Sequence, residues 1–295
     1  MPTVDDSSFL GRYDRMADRA AAGVISTYST SFGLSTNLLA PGMRRDIRNL
    51  YAMVRIADEI VDGTAAVAGV AGVGPLLDAY EAQVRSAPLT RFHTDPVLHA
   101  YANSARRCHF KDEHVEAFFR SMRRDLEQST YDADALEDYI YGSAEVIGLL
   151  CLSVFLSGRQ LGENAHAELE HGARSLGAAF QKINFLRDFA EDTGTLGRAY
   201  FPGTEEELDD RTKDGIIADI RQDLESAVRV IPALPLSART GVLAATSLFA
   251  DLTERLDAIP AVELTHRRVS VPAPRKTILI ARAVAMAPRL KGSRS

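Results

Sequence analysis

Tryptophan is absent from this chain, and cysteine occurs only twice, at Cys108 and Cys151. Two cysteines in apolar, helix-patterned surroundings give neither a disulfide framework nor metal-ligand spacing, and both read as reduced core residues. Alternating strand-like runs of useful length are missing, which argues against a sheet-based fold. No Gly-x-Gly-x-x-Gly follows a strand pattern, and neither a Walker loop nor a serine nucleophile elbow is present, so nucleotide-fold chemistry is not expected. Positive charge is not in surplus: the net charge of −6 argues against nucleic acid as a general partner. The opening Met1-Pro-Thr-Val-Asp-Asp6 has no apolar signal core. The longest apolar window, Val146 to Leu156, is too short to span a bilayer. A cytoplasmic protein is the expectation.

What is present is helical periodicity. Hydrophobic residues make up 46% and charged residues 25%, an ordinary balance for a globular chain of 295 residues. Gly and Pro cluster at a few places, notably Pro41-Gly42, the Gly-rich 63–74, Thr193-Gly-Thr-Leu-Gly197 and Pro202-Gly203. Between them the pattern predicts helices over about 8–40, 43–62, 75–87, 94–108, 111–128, 132–158, 164–193, 214–230 and 236–258. Residues 63–74 read as a flexible loop, and no domain boundary is visible. Residues 1–295 are expected to form one all-α domain.

Two stretches stand apart. Asn184, Asp188 and Asp192 recur every fourth residue, so on a helix they climb one face with a drift of about 40° per step. Ile183, Phe185, Leu186, Phe189 and Ala190 fill much of the remaining surface. Upstream, Tyr51-Ala-Met-Val-Arg-Ile-Ala-Asp-Glu-Ile-Val-Asp62 repeats the arrangement with Asp58 and Asp62. Each stretch also carries an arginine, Arg55 or Arg187. An ionised carboxylate out of water needs a cation or a donor. Two such helices face to face would concentrate carboxylates, and all-oxygen donors select a hard divalent ion that also binds substrate phosphates. The expectation is a helical cavity in which Mg²⁺, with Mn²⁺ as the alternative, holds a phosphorylated ligand.

Other candidates carry less. Asp112-Glu-His-Val-Glu116 suits an acidic first helical turn better than a metal site. His93, His99, His109, His166 and His171 share no spacing and read as satisfied surface residues.

Taken together, the motifs resemble those of the squalene/phytoene synthases, which join two isoprenoid diphosphates head to head. The resemblance covers roughly residues 24–280. Ser29-Thr-Ser-Phe-Gly33 with Leu38-Leu-Ala-Pro41 is similar to that family's opening element, and Leu50 to Asp62 to its first aspartate-rich motif. Leu176 to Asp192, followed by Gly197-Arg-Ala-Tyr-Phe-Pro202, is similar to the second. Tyr139 to Phe155 and the Arg-Val-Ser-Val ending are nearest to bacterial phytoene synthases. The resemblance implies an all-α isoprenoid synthase bundle with a core of about 24–290 and a central cavity. It places Asp58, Asp62, Asn184, Asp188 and Asp192 as Mg²⁺ ligands. It places Tyr51, Arg55, Arg187, Ser29 and Ser31 near the diphosphates, with Arg198, Tyr200, Arg268 and Lys276 as further contacts. Two positions depart from the pattern: Thr30 stands where many relatives have Lys, and Glu145 where they have Gly. Glu145 could face solvent, pair with an arginine or line the cavity mouth.

The implied reaction is Mg²⁺-dependent coupling of two geranylgeranyl diphosphates through prephytoene diphosphate to phytoene, in carotenoid biosynthesis. Two alternatives stand beside it. One is squalene or dehydrosqualene synthesis from farnesyl diphosphate. The other is a non-catalytic helical assembly protein with the same fold. From Ala261 onward Lys and Arg outnumber acids eight to one. This region is expected either to lean on the anionic inner face of a membrane or to be a docked helix with a disordered tail.

Overall fold

The computed structural model describes residues 8–290. Among them there is no strand, only an isolated bridge between Thr130 and Ala199. The helices are α1 (Phe9–Tyr28), α2 (Thr30–Thr36), α3 (Pro41–Val61), α4 (Thr64–Val67), α5 (Val73–Ser86), α6 (Pro96–Cys108), α7 (Asp112–Glu127) and α8 (Ala133–Ile140). A π-turn, Tyr141–Glu145, leads into α9 (Val146–Leu156). Then follow α10 (Glu163–Arg187), α11 (Phe189–Gly194), α12 (Asp210–Val230), α13 (Leu236–Asp257), α14 (Ala261–Leu264) and α15 (Ala273–Met286).

Local chemistry explains most boundaries. Ser8, Asp95, Asp132 and Asp209 each accept a hydrogen bond from a backbone amide in the first turn of α1, α6, α8 and α12. Gly63, at φ 102°, stops α3 by entering a left-handed conformation open to glycine. Pro41 was expected to end a helix; it begins α3 instead, where its missing N–H leaves no bond unmade. The predicted loop 63–74 contains the short α4. The predicted helix 164–193 bends at Asp188, yet the amides of Asp188 and Asp192 still bond the carbonyls four residues back. The four-residue stacking of the acidic positions therefore survives the bend.

Two large apolar clusters build the core. One gathers side chains of α3, α5, α6, α7 and α9 around Leu50, Met53, Tyr101, Phe118 and Leu150. The other gathers α8, α10, α12, α13 and the C-terminal segment around Ile183, Leu186, Ile220 and Leu256. The acidic helix α3 belongs to the first and α10 to the second, so the two motifs meet at the seam between clusters. From Ala133 to Leu156 the chain forms one helical run of 24 residues, long and apolar enough by length and composition to cross a membrane. This corrects the expectation drawn from Val146–Leu156 alone; here the run packs against α3, α7 and α10. Both cysteines are free, Cys108 buried and Cys151 half-buried. His99 is no surface residue: it is fully buried, and its Nε2 lies 2.7 Å from Asp14.

Glycines set how closely α10 approaches the long run. A Cβ on Gly177 would lie 2.5 Å from the Ala144 carbonyl oxygen, and one on Gly148 would overlap the Ala173 carbonyl. Gly215 in α12 faces open space. Gly177→Ala should therefore destabilise the fold by about 1–3 kcal/mol, while Gly215→Ala should stabilise it by about 0.5–1 kcal/mol. Urea unfolding of the two variants checks this; equal effects would mean the contact relaxes freely.

Candidate functional site

The two acidic motifs come together through an arginine. Arg198 follows α11 in a loop pinned to the α7–α8 turn, where the Ala199 amide donates to the Ser129 carbonyl at 2.8 Å. Its own amide donates to the Asp192 carbonyl at 2.8 Å. Its guanidinium donates to Asp62 Oδ1 at 2.9 Å, to the Val61 carbonyl at 3.0 Å and to the Asp125 carbonyl at 3.1 Å. One residue thus ties the end of the second motif to the end of the first. The side chain is only 8% exposed, and nearby carboxylates hold its proton more firmly than usual despite burial.

The acids feel one another across this seam. Burial, then the charges of Asp62 and Asp125, pushes the Asp58 carboxyl up to about 8. Burial, then Asp188, with Asp62 contributing from the facing helix, pushes Asp192 up to about 7. Asp188 is paired instead: Arg187 bonds it from the preceding position, and Arg268 Nε from the C-terminal segment stands 2.7 Å from its Oδ1. Asn184 Oδ1 is buried and has no hydrogen-bond partner. Among the described residues no three His, Cys, Asp or Glu side chains converge as a ready-made metal cage. The acids lie on separate helices and are spread along them, so the expected gathering of carboxylates is an electrostatic cluster and no closed coordination shell.

At the opening element, Ser29 caps α2 by accepting from the Phe32 amide, and the Phe32 ring stacks on Tyr51. Ser31 is half-buried in the first turn of α2. Arg55 pairs with Glu59 four residues on and lies over the Tyr28 ring. Lys276 Nζ donates to Thr30 Oγ1 at 3.3 Å. The cation expected at position 30 is thus supplied there by α15. Glu145 pairs with Arg174 at 2.6 Å, and Arg174 also lies over Tyr141, which decides among the three readings of Glu145.

Tyr200 and Arg198 were expected as further phosphate contacts; both are buried and engaged elsewhere. Tyr200 stacks between Phe185 and Tyr131, and its hydroxyl donates to Asp125 at 3.3 Å. Tyr139 donates to the same carboxylate at 2.8 Å. Asp125 is 3% exposed, and burial pushes it up to about 6. It escaped the sequence reading because it has no acidic neighbour one helical turn away. A lone acid on α7 between Arg124 and Leu126 reads as a solvated charge.

A stripe of apolar residues continues inward from the acids. Ile147, Cys151 and Phe155 on α9, and Leu176 and Phe180 on α10, are only half-buried although they belong to helices of the bundle core. Phe180 stacks on Phe249 at 3.8 Å. Side chains of this kind left partly uncovered inside a bundle suit an apolar ligand.

The raised carboxyls have a consequence for stability. Asp58 and Asp192 bind their protons more tightly folded than unfolded, so above about pH 4 the unfolded chain loses them first. Their contribution to stability is greatest in acid and declines as pH rises toward the folded values of about 7 and 8. In divalent-free buffer, Asp58→Asn should melt about 2 °C or more above the parent at pH 8. The gap should close as pH approaches 4. Calorimetry across that range checks it, and an unchanged or lower melting temperature at pH 8 would contradict it.

Comparison with known proteins agrees with this geometry. Residues 25–275 match the squalene/phytoene synthase family. Phytoene synthase 3, chloroplastic, of Zea mays is 29% identical over 280 residues, covering 88% of this chain and 63% of its own length. The 15-cis-phytoene synthase of a Paracoccus species is 30% identical over 183 residues, covering 61% of this chain and 58% of its own. The chain thus spans about three-fifths of the length of these two relatives. Among solved structures, a dehydrosqualene synthase in complex with ligand superposes with a TM-score of 0.75 at 18% identity, over 95% of this chain and 99% of the other. That likeness extends to the fold, an all-α bundle as the motifs implied. This chain belongs to the squalene/phytoene synthase family.

Proposed function

We propose that this chain is a prenyltransferase that couples two geranylgeranyl diphosphates head to head, through prephytoene diphosphate, to phytoene. The observation that carries the reading is Arg198, which holds Asp62 of the first motif beside the backbone of Asp192 in the second. Relatives named as phytoene synthases support the longer substrate over farnesyl diphosphate.

The donor set fits a hard divalent ion. Asn184 offers a buried, unpartnered carbonyl oxygen, and Asp58 and Asp192 are carboxyls whose ionisation burial opposes and a cation would favour. Mg²⁺ usually takes one or two carboxylates and fills its remaining positions with water and phosphate oxygens, so a closed cage is not required. Asp58, Asp62, Asn184, Asp188 and Asp192 would hold it. When bound, such an ion neutralises charge building on the departing diphosphate.

The chain's own groups supply the rest. Arg187 and Arg268 converge on Asp188, and a diphosphate arriving there would take their guanidinium forks in place of the carboxylate. Arg55, with Tyr51, Ser29 and Ser31, lines the approach, and Lys276 adds an ammonium at Thr30. Arg198 and Tyr200 act beneath this layer, fixing Asp62 and Asp125. The apolar stripe of α9 and α10 would keep water from an allylic cation, and the rings of Phe32, Tyr51 and Phe180 would stabilise it through their faces.

We also propose a peripheral contact with the anionic inner face of the cell membrane. Helix α15 exposes Ile278, Val284 and Met286, with Arg282 alongside and Arg289 just beyond. Residues 291–295, which complete this basic region, lie outside the described residues.

Incubation with geranylgeranyl or farnesyl diphosphate plus Mg²⁺, with and without NADPH, followed by mass identification of the lipid, tests the reaction. Phytoene is expected; a product from farnesyl diphosphate alone would overturn the chain length, and no product would overturn the activity. Asp58→Ala and Asp188→Ala should each lower turnover by at least about a hundredfold with helix content intact. Near-parental turnover in either would remove that residue from the site. Ile278→Asp with Met286→Asp should release the protein from phosphatidylserine vesicles in a sedimentation assay, and unchanged binding would exclude α15 as the contact.

A further inference from the structure

A cavity of about 230 Å³ lies at the other end of the bundle, lined by the end of α6, the start of α7, α9 and the start of α10. Glu170, on its wall, and Asn184 are both on α10, separated by about 20 Å along the helix axis. The floor is apolar, made by Leu149, Leu152 and Leu156. Lys111 and Arg159 line the cavity together with the imidazoles of His109, His114 and His166 and one carboxylate, Glu170; burial holds the His114 imidazole below its usual range, so it meets a ligand as a neutral hydrogen-bonding ring.

The fixed cations of the rim are Arg159 and Lys111. Arg159 makes no side-chain ion pair among the described residues, whereas each arginine of a second, arginine-lined cavity is paired: Arg255 with Asp251, Arg267 with Glu263 and Arg268 with Asp188. Lys111 meets Glu113 at 3.5 Å, with both side chains more than half exposed, so water screens that pair. His166 shares Glu170 at 3.5 Å. His114 is buried; its Nε2 lies 3.8 Å from Glu113, and its Nδ1 has no partner. His109 is held at φ 55°, the one positive value among described non-glycine residues. That left-handed residue ends α6, its amide donating to the Ala105 carbonyl, and so turns the chain along the cavity wall. Sequence spacing gave no hint of this, because the three histidines come from three separate segments. No three ligating groups converge here as a metal site.

We propose that this cavity binds a small amphiphilic anion, a phosphate monoester on a short alkyl chain, with its head against Arg159, Lys111 and the imidazoles and its tail on the leucines. The volume is below the roughly 300–1,000 Å³ of pockets for drug-sized ligands, which limits the occupant to a short chain. The site is separate from the one assigned to prenyl diphosphates.

Hexyl phosphate titrated into the full chain in divalent-free buffer at pH 7 tests the proposal, read by the ring resonances of His114 and His166. Both should shift together and saturate. Arg159→Glu and Leu161→Asp, each at an exposed position, should weaken the saturation by about tenfold or more. Arg187→Ala, at the acidic helices, should leave it unchanged. Absence of shifts, or full affinity in Arg159→Glu, would overturn the site. Inorganic phosphate binding as tightly as hexyl phosphate would overturn the role of the leucine floor. Neither readout depends on turnover, so failure here leaves the synthase reading standing, and failure of that reading leaves this one testable.

Discussion

Carboxylates on two facing helices repel one another, and much of the structure around the seam answers that repulsion. Asp62 is held by Arg198, and Asp188 by Arg187 and Arg268. Asp58 and Asp192 have no hydrogen-bonded cation and hold their protons instead, at about 8 and about 7. A protein selected for stability alone would replace such groups with apolar residues of similar volume, because burying charge costs more than pairing returns. Their retention on helices that otherwise build the core marks a site where function and stability oppose each other.

Arg198 is central to this balance because it does two things at once. Its backbone belongs to the second motif and its side chain to the first, so the spacing of the helices is set by one guanidinium with four defined acceptors or neighbours. Beneath it, Asp125 gathers the hydroxyls of Tyr139 and Tyr200, and Tyr200 is clamped between two rings. Buried polar groups satisfied this completely stiffen a core. The acids above them therefore rest on a rigid platform, while Arg268 reaches Asp188 from an exposed segment.

The apolar wall follows from backbone contact. Gly148 and Gly177 let the long central run and α10 touch through backbone atoms. With that face closed, Ile147, Cys151 and Phe155 turn toward the interior and stay half-covered. A helix that is apolar on all sides, as α9 is, can then serve both as core and as lining.

The sequence by itself determined the helical class, most helix positions and the two acidic motifs. These depend on local periodicity and capping, which any short window of residues contains. The four-residue spacing of Asn184, Asp188 and Asp192 was legible for the same reason, and the bend at Asp188 did not disturb it. Partnership depended on the tertiary structure. Asp125 became part of the site only when α7 met Tyr139, Tyr200 and Arg198, and Lys276 reached Thr30 across 246 positions of sequence. Arg198 and Tyr200 turned out to be buried supports because burial is a property of the assembled bundle. His109, His114 and His166 share no spacing, and only the packing of three segments placed them around one cavity. Which charges neutralise each other is a question of distance in space, and one-dimensional order carries that distance only within a helical turn or two.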